Sequence, residues 1–310
     1  MRRRAALSSV ACVALSLSLA ACHEHGPRTA FDGQEALGLV KTQLDFGPRV
    51  PGSPAHEKEA QWIVAQMKPR ADTVIAQRWT HVTATGDTLA LTNILARYRP
   101  AATQRVLYVT HWDTRPVSDG ARDSAQRLLP MPGANDGASG VALFIALGDA
   151  LRKTPPTVGV DLLFVDGEDY GTFGDGQKIK NTDVLLGSTY FAQHLPSPDY
   201  HPLYGVLWDM IGDRDLDIYQ EANSLQRAPE VVSIVWRAAS DLGYSKYFIP
   251  SPGYAITDDH IPLLDAGLRV IDVIDYDYPW HHTPQDTFDK VSAQSLQIVG
   301  DVATKILTSQ

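Results

Sequence analysis

Val160-Asp161-Leu162-Leu163-Phe164-Val165-Asp166-Gly167-Glu168-Asp169-Tyr170-Gly171 drives a short apolar run straight into a turn that carries three carboxylates. A run of this length, rich in branched and aromatic residues and closed by a turn glycine, reads as a strand buried on both faces. The adjacent acids Glu168 and Asp169 repel each other, and at the mouth of a buried strand their desolvation must be offset. A divalent cation held by one of them would do this and leave the other free as a base. The alternative is a solvated acidic turn.

Working outward, short apolar runs recur at Val74-Ile75-Ala76, Asn93 to Tyr98, Val106 to Thr110, Val206 to Trp208 and Val270 to Ile274. Between them, Glu57 to Met67, Gly140 to Arg152, Val184 to His194, Pro229 to Leu242 and Ala293 to Leu307 repeat apolar residues at three- and four-residue spacings, as helices do. This alternation predicts an α/β fold in which a mostly parallel, mixed central sheet carries helices on both faces. Ligands bind such sheets beyond the carboxyl ends of the strands. Four strands deliver acids or imidazoles there: His111, Glu168 with Asp169, Asp209, and His282 in the segment after Ile274.

Three more segments carry the same chemistry. Pro132-Gly133-Ala134-Asn135-Asp136-Gly137-Ala138-Ser139-Gly140 is a glycine-rich loop that opens a helix; Asp136 reads either as a metal-binding carboxylate with small neighbours that leave room, or, with Ser139, as a helix cap. Thr257-Asp258-Asp259-His260 is a second acid doublet, which also reads as helix capping. Trp280-His281-His282-Thr283-Pro284 brings two imidazoles, in the site or in a polar turn. Asp209, inside the apolar run Leu207 to Ile211, needs a partner. Carboxylates and imidazoles are the ligands of an open zinc site, and the chain beyond Cys22 has no cysteine with which to build a closed one.

The N-terminus reads as an export signal: Arg2 to Arg4, then an apolar stretch from Ala5 to Ala21, too short to span a membrane. It ends in Leu19-Ala20-Ala21-Cys22, which resembles the lipobox of bacterial lipoprotein precursors and makes Cys22 the expected lipidated residue. His23, rather than aspartate, after that cysteine points to the outer membrane, with the body on the periplasmic side. The expected organisation is a signal peptide at 1–21, a flexible tether at 22–32 and one catalytic domain at 33–310. Of 310 residues, 27 are basic and 36 acidic; without the signal the balance is 24 against 36, or −12, which argues against a nucleic-acid partner.

His111-Trp112-Asp113, Gly133 to Gly140, Asp166 to Asp169, Trp208-Asp209-Met210-Ile211-Gly212 and His282-Thr283 with Asp286-Thr287 resemble, in order and spacing, the M28 zinc aminopeptidases. Phe46 to Pro54 and Asp258-Asp259-His260-Ile261-Pro262 are similar to the type II glutaminyl cyclases within that family. The resemblance implies one Zn2+ on Asp136, Asp169 and His282, Glu168 as general acid and base, Asp258 and Asp209 in a surrounding hydrogen-bond network, and Trp112, Trp280, His281 and Thr257 about the substrate pocket. The expected activity is conversion of N-terminal glutamine of peptides or proteins to pyroglutamate with release of ammonia. His281 stands where these cyclases carry a tryptophan. The alternative is an aminopeptidase with two metal ions, the second on His111 and Asp209; a non-catalytic binding ectodomain is the third reading.

Overall fold

The computed structural model describes residues 29–174 and 180–308. The chain enters through α1 (Gly33–Leu44) and α2 (Pro54–Met67), then forms β1 (Thr73–Val82) and β2 (Thr88–Tyr98). β3 (Arg105–His111), α3 (Ala138–Lys153), β4 (Gly159–Val165), α4 (Leu186–Gln193) and β5 (Tyr204–Asp209) follow. After β6 (Ile218–Gln220), α5 (Ala222–Arg227), α6 (Pro229–Asp241) and β7 (Phe248–Pro252), the chain closes with α7 (His260–Asp265), β8 (Val270–Ile274) and α8 (Ala293–Thr308). The main sheet has the order β1-β2-β4-β3-β5-β8. β4, β3, β5 and β8 are parallel, while the β1–β2 hairpin joins β4 antiparallel. The expected mixed, mostly parallel sheet between helix layers is therefore present.

Side-chain alternation along the strands divides the core. Val106 and Tyr108 point into the larger cluster, under α1, α3, α6 and α8; Leu107 and Val109 point into the smaller one, with Phe191 of α4 and Leu263 of α7. Both faces are buried, which explains why these strands are almost wholly apolar. Buried acids interrupt them at Asp272 in β8 and Asp161 in β4; the Asp161 carboxylate accepts from Arg105 at 2.6 and 2.8 Å, Arg97 at 3.0 Å and Tyr200 at 2.9 Å, so that charge is fully partnered.

Two expectations are corrected, and one helix outside the sequence expectations is found. The tether does not extend to Asp32: Phe31 is buried in the core, and Thr29 bonds Asp301 of α8. The first strand runs for ten residues, because polar residues alternate on the exposed edge and hide its period. The helix Gly33–Leu44 has a capping aspartate at Asp32, which accepts from the Gln34 and Glu35 amides. The expected signal peptide, Cys22 and the rest of the tether lie outside the described residues.

Asp161→Ala would leave the Arg105 guanidinium buried without its partner and should cost about 3–5 kcal/mol. Loss of the exposed Arg269–Glu230 pair through Glu230→Ala should cost at most about 1 kcal/mol. Denaturant midpoints of the two variants check the contrast.

Candidate active site

The carboxyl ends of the four parallel strands converge. β3 ends in His111, whose Nε2 lies 3.1 Å from both Asp136 Oδ1 and Asp209 Oδ1. Its Nδ1 lies 3.8 Å from Asp113 Oδ1 and from Glu168 Oε2. β5 supplies Asp209 and turns sharply through Met210, held at φ +44°. Beyond β8, His282, at φ +53°, sets its Nε2 3.3 Å from Asp169 Oδ1 and 3.8 Å from Asp136 Oδ2. Non-glycine residues with positive φ concentrate where a site must be held in shape.

Backbone tethers fix the acids. Asp113 accepts the amides of Glu168 at 3.1 Å and Asp169 at 3.3 Å. Asp286 accepts those of Asn135 at 2.9 Å and Asp136 at 3.2 Å, and the Tyr278 hydroxyl at 2.6 Å. Gly137, at φ +92°, is required: a Cβ there would stand 2.8 Å from the Asp113 carbonyl oxygen and 3.3 Å from the His111 ring. The buried Arg49 donates to the Pro132 and Gly133 carbonyls, and so pins the loop that carries Asp136, while its Nε faces Glu59 at 3.1 Å.

A cavity of about 330 Å³ opens over these groups, with Asp136, Glu168, Asp209, Thr257, Asp258 and His281 in its wall. Burial, and next the Asp169 charge, push Glu168 well above the usual carboxylate range. Burial, then Asp209 and Asp259, do the same to Asp258. Burial works against ionisation of Asp169 too, yet His282 and Arg115 hold it down to about 2.

The donor set fits a metal ion. Asp136, His281 and His282 offer ligand atoms within 4.8 Å of one another, as do His111, Asp136 and Asp209. Asp169 Oδ1 is taken by Arg115 Nη1 at 2.7 Å, but Oδ2 is buried and has no hydrogen-bond partner. A buried carboxylate oxygen without a hydrogen-bond partner is an atom that a cation can take at little further desolvation cost. Zinc accepts carboxylate oxygen and imidazole nitrogen in this way.

Of the expected site residues, Asp136, Glu168, Asp169, Asp209, Asp258, His111 and His282 come together, and Thr257 and His281 line the cavity. Trp112 and Trp280 do not. Trp112 is fully buried, stacks on His56 at 4.3 Å and donates to the Thr92 carbonyl. It follows the last residue of a strand, so alternation turns it away from the face that His111 and Asp113 share. Trp280 stands outside the cavity wall with the Lys290 ammonium 4.6 Å over its ring. Three groups escaped the sequence reading: Arg115, Phe173, which lines the cavity, and Asp119, which faces His282 Nδ1 at 3.4 Å and accepts from Arg115 Nη2 at 2.7 Å and Nε at 2.9 Å. Nothing in the sequence around them marks their roles, which arise only when the segments after β3 and β4 fold against His282.

Comparison with known proteins places this geometry. Residues 93–307 match the model of a family described as Peptidase family M28. A glutaminyl cyclase from Bacteroides thetaiotaomicron, solved with N-acetylhistamine bound, superposes with a TM-score of 0.86 at 32% identity, over 92% of this chain and 99% of that one. A Zn-dependent exopeptidase from Parabacteroides distasonis gives 0.86 at 33% identity, over 90% and 99%. Aminopeptidase YwaD of Bacillus subtilis is 26% identical over 214 residues, 64% of this chain; the chain spans 40% of YwaD's length.

Asp286→Ala should free the Asn135 and Asp136 amides that hold the Asp136 carboxylate in place and weaken zinc affinity about 10- to 100-fold, as loss of an outer support does. Competition with a chromophoric chelator reads this directly.

Proposed function

The chain belongs to peptidase family M28, and on that premise we propose that it is a glutaminyl-peptide cyclotransferase, forming pyroglutamate from N-terminal glutamine with release of ammonia. The likeness to solved cyclases and exopeptidases is equally close, so the chemistry of the cavity must choose between them. The observation that carries the reading is that two acids, Glu168 and Asp258, face one cavity beside the candidate ligands Asp136, Asp169 and His282. Asp258 begins the Asp-Asp-His-Ile-Pro run that drew attention in the sequence, and α7 fixes it there.

Asp136, Asp169 and His282 would hold a zinc ion, which when bound would supply a Lewis acid for the γ-carbonyl of the glutamine. Glu168 accepts a proton from the α-amine as the nitrogen attacks the γ-carbon. A C–N bond forms, the bond to the amide nitrogen breaks, and Glu168 returns the proton to departing ammonia. Asp258, whose carboxyl is pushed up by burial and then by Asp209 and Asp259, shares the cavity wall with Glu168 and Asp209 and helps to hold the glutamine. The attack is intramolecular, so these groups mainly position the side chain.

One observation favours a second reading. His111, Asp136 and Asp209 form a further ligand set, which suits an aminopeptidase with two ions. Glutamine-first and alanine-first peptides separate the two: mass loss of one ammonia supports the cyclase, and release of the first residue with two tightly held zinc ions per chain supports the peptidase. Glu168→Gln should keep its zinc and lose at least about 100-fold in kcat under either chemistry; an active variant removes Glu168 from its role.

We propose also that the protein is an exported bacterial lipoprotein, on the strength of Leu19-Ala20-Ala21-Cys22. Cys22→Ser should lose the fatty-acyl mass and move the protein from the membrane to the soluble fraction.

A further inference from the structure

Beside the first cavity lies a second, of about 250 Å³, and the two share Ile256, Ile274 and Tyr276. Its walls are aromatic: Tyr219, Tyr254 and Tyr276, the last two with ring centroids 5.6 Å apart and 59% and 41% exposed. The charged groups that line it are both acids. Asp277 stands exposed at the mouth, near Asp217. Glu221 lies at the floor, where its carboxylate accepts the amides of Asn223, Ser224 and Ile256 at 2.6–2.9 Å, with His260 Nε2 3.3 Å behind it. Burial opposes its ionisation, yet His260 first and then the hydrogen bonds from Ile256 and Ser224 hold Glu221 down to about 2, so it remains a carboxylate.

Three tyrosine faces and two carboxylates are an unsuitable lining for an anion, which both acids would repel. An apolar side chain would use the rings alone and leave Asp277 to lose water without compensation. A cation uses both, through ring quadrupoles and through charge. The shared wall sets which part of a ligand reaches this cavity. A peptide whose first residue occupied the first cavity would bring its next side chain to the wall of Ile256, Ile274 and Tyr276 that the two cavities share.

We propose that this second cavity is a subsite for a cationic side chain, arginine or lysine, at the second position of a peptide substrate. The assignment rests on the reading that the first cavity takes a peptide N-terminus, but not on whether that residue is cyclised or released.

The experiment measures kcat/KM for glutamine-first peptide amides with Arg, Lys, Leu, Ala or Glu in second place, beside the same series with alanine first. The expected result is a preference of about tenfold for Arg and Lys over Ala, carried in KM, with Glu poorest. Asp277→Asn and Tyr254→Ala should each narrow the Arg-to-Ala ratio, as should raised salt. The ratio is internal to each variant, so a general loss of activity does not imitate it. Equal rates across the series, a preference for Leu, or a preference untouched by both substitutions overturns the subsite. If only the alanine-first series turns over, the cyclase reading falls, and the second-position preference is still read from that series.

Discussion

The site is a problem of buried negative charge. Asp136, Asp169, Asp209, Glu168 and Asp258 are brought to one edge of a sheet, each less than a tenth exposed, where mutual repulsion and lost hydration both oppose folding. His111, His282 and Arg115 answer part of that charge through contacts of 2.7–3.8 Å. The remainder is charge that a divalent cation would balance, with the carboxylates that basic side chains leave over as its candidate ligands. Binding and folding would then be coupled, because a bound cation would stabilise the native arrangement and would find no preformed site in the unfolded chain.

The fold's part is to make the convergence rigid. Parallel strands put all four carboxyl ends on one side, and the helices on both faces leave that edge as the place where polar groups can collect. Asp113 and Asp286 then tie the backbone of Glu168, Asp169 and Asp136 rather than their carboxylates, which leaves those side chains available for chemistry. The Arg49 guanidinium extends the same support to the glycine-rich loop from beneath. An enzyme that works by positioning requires supports of this kind more than it requires further reactive groups.

The sheet, five of the helices and the acids at the strand ends were legible in sequence, because each is written in local periodicity or in a charge that interrupts an apolar run. Asp209 and Asp169 could be picked out for that reason alone. The two tryptophans were misjudged for opposite reasons. Trp112 follows strand alternation to the far face, whereas Trp280 has its ring engaged by Lys290 and leaves the cavity to its neighbour His281. Arg115, Asp119 and the tyrosine-walled second cavity were illegible, since they join segments separated by tens of residues and no local pattern encodes such a meeting. Phe31 shows the same limit at the chain's start: a polar stretch reads as a tether until its one aromatic residue finds the core.

Anomalous diffraction at the zinc edge from crystals of the metal-loaded protein tests the central claim most directly. The account predicts a peak within bonding distance of Asp136, Asp169 and His282, with the Glu168 carboxylate beside it and outside the coordination shell. A peak bound by Glu168, or none at these three residues while zinc sits elsewhere on the chain, would contradict it.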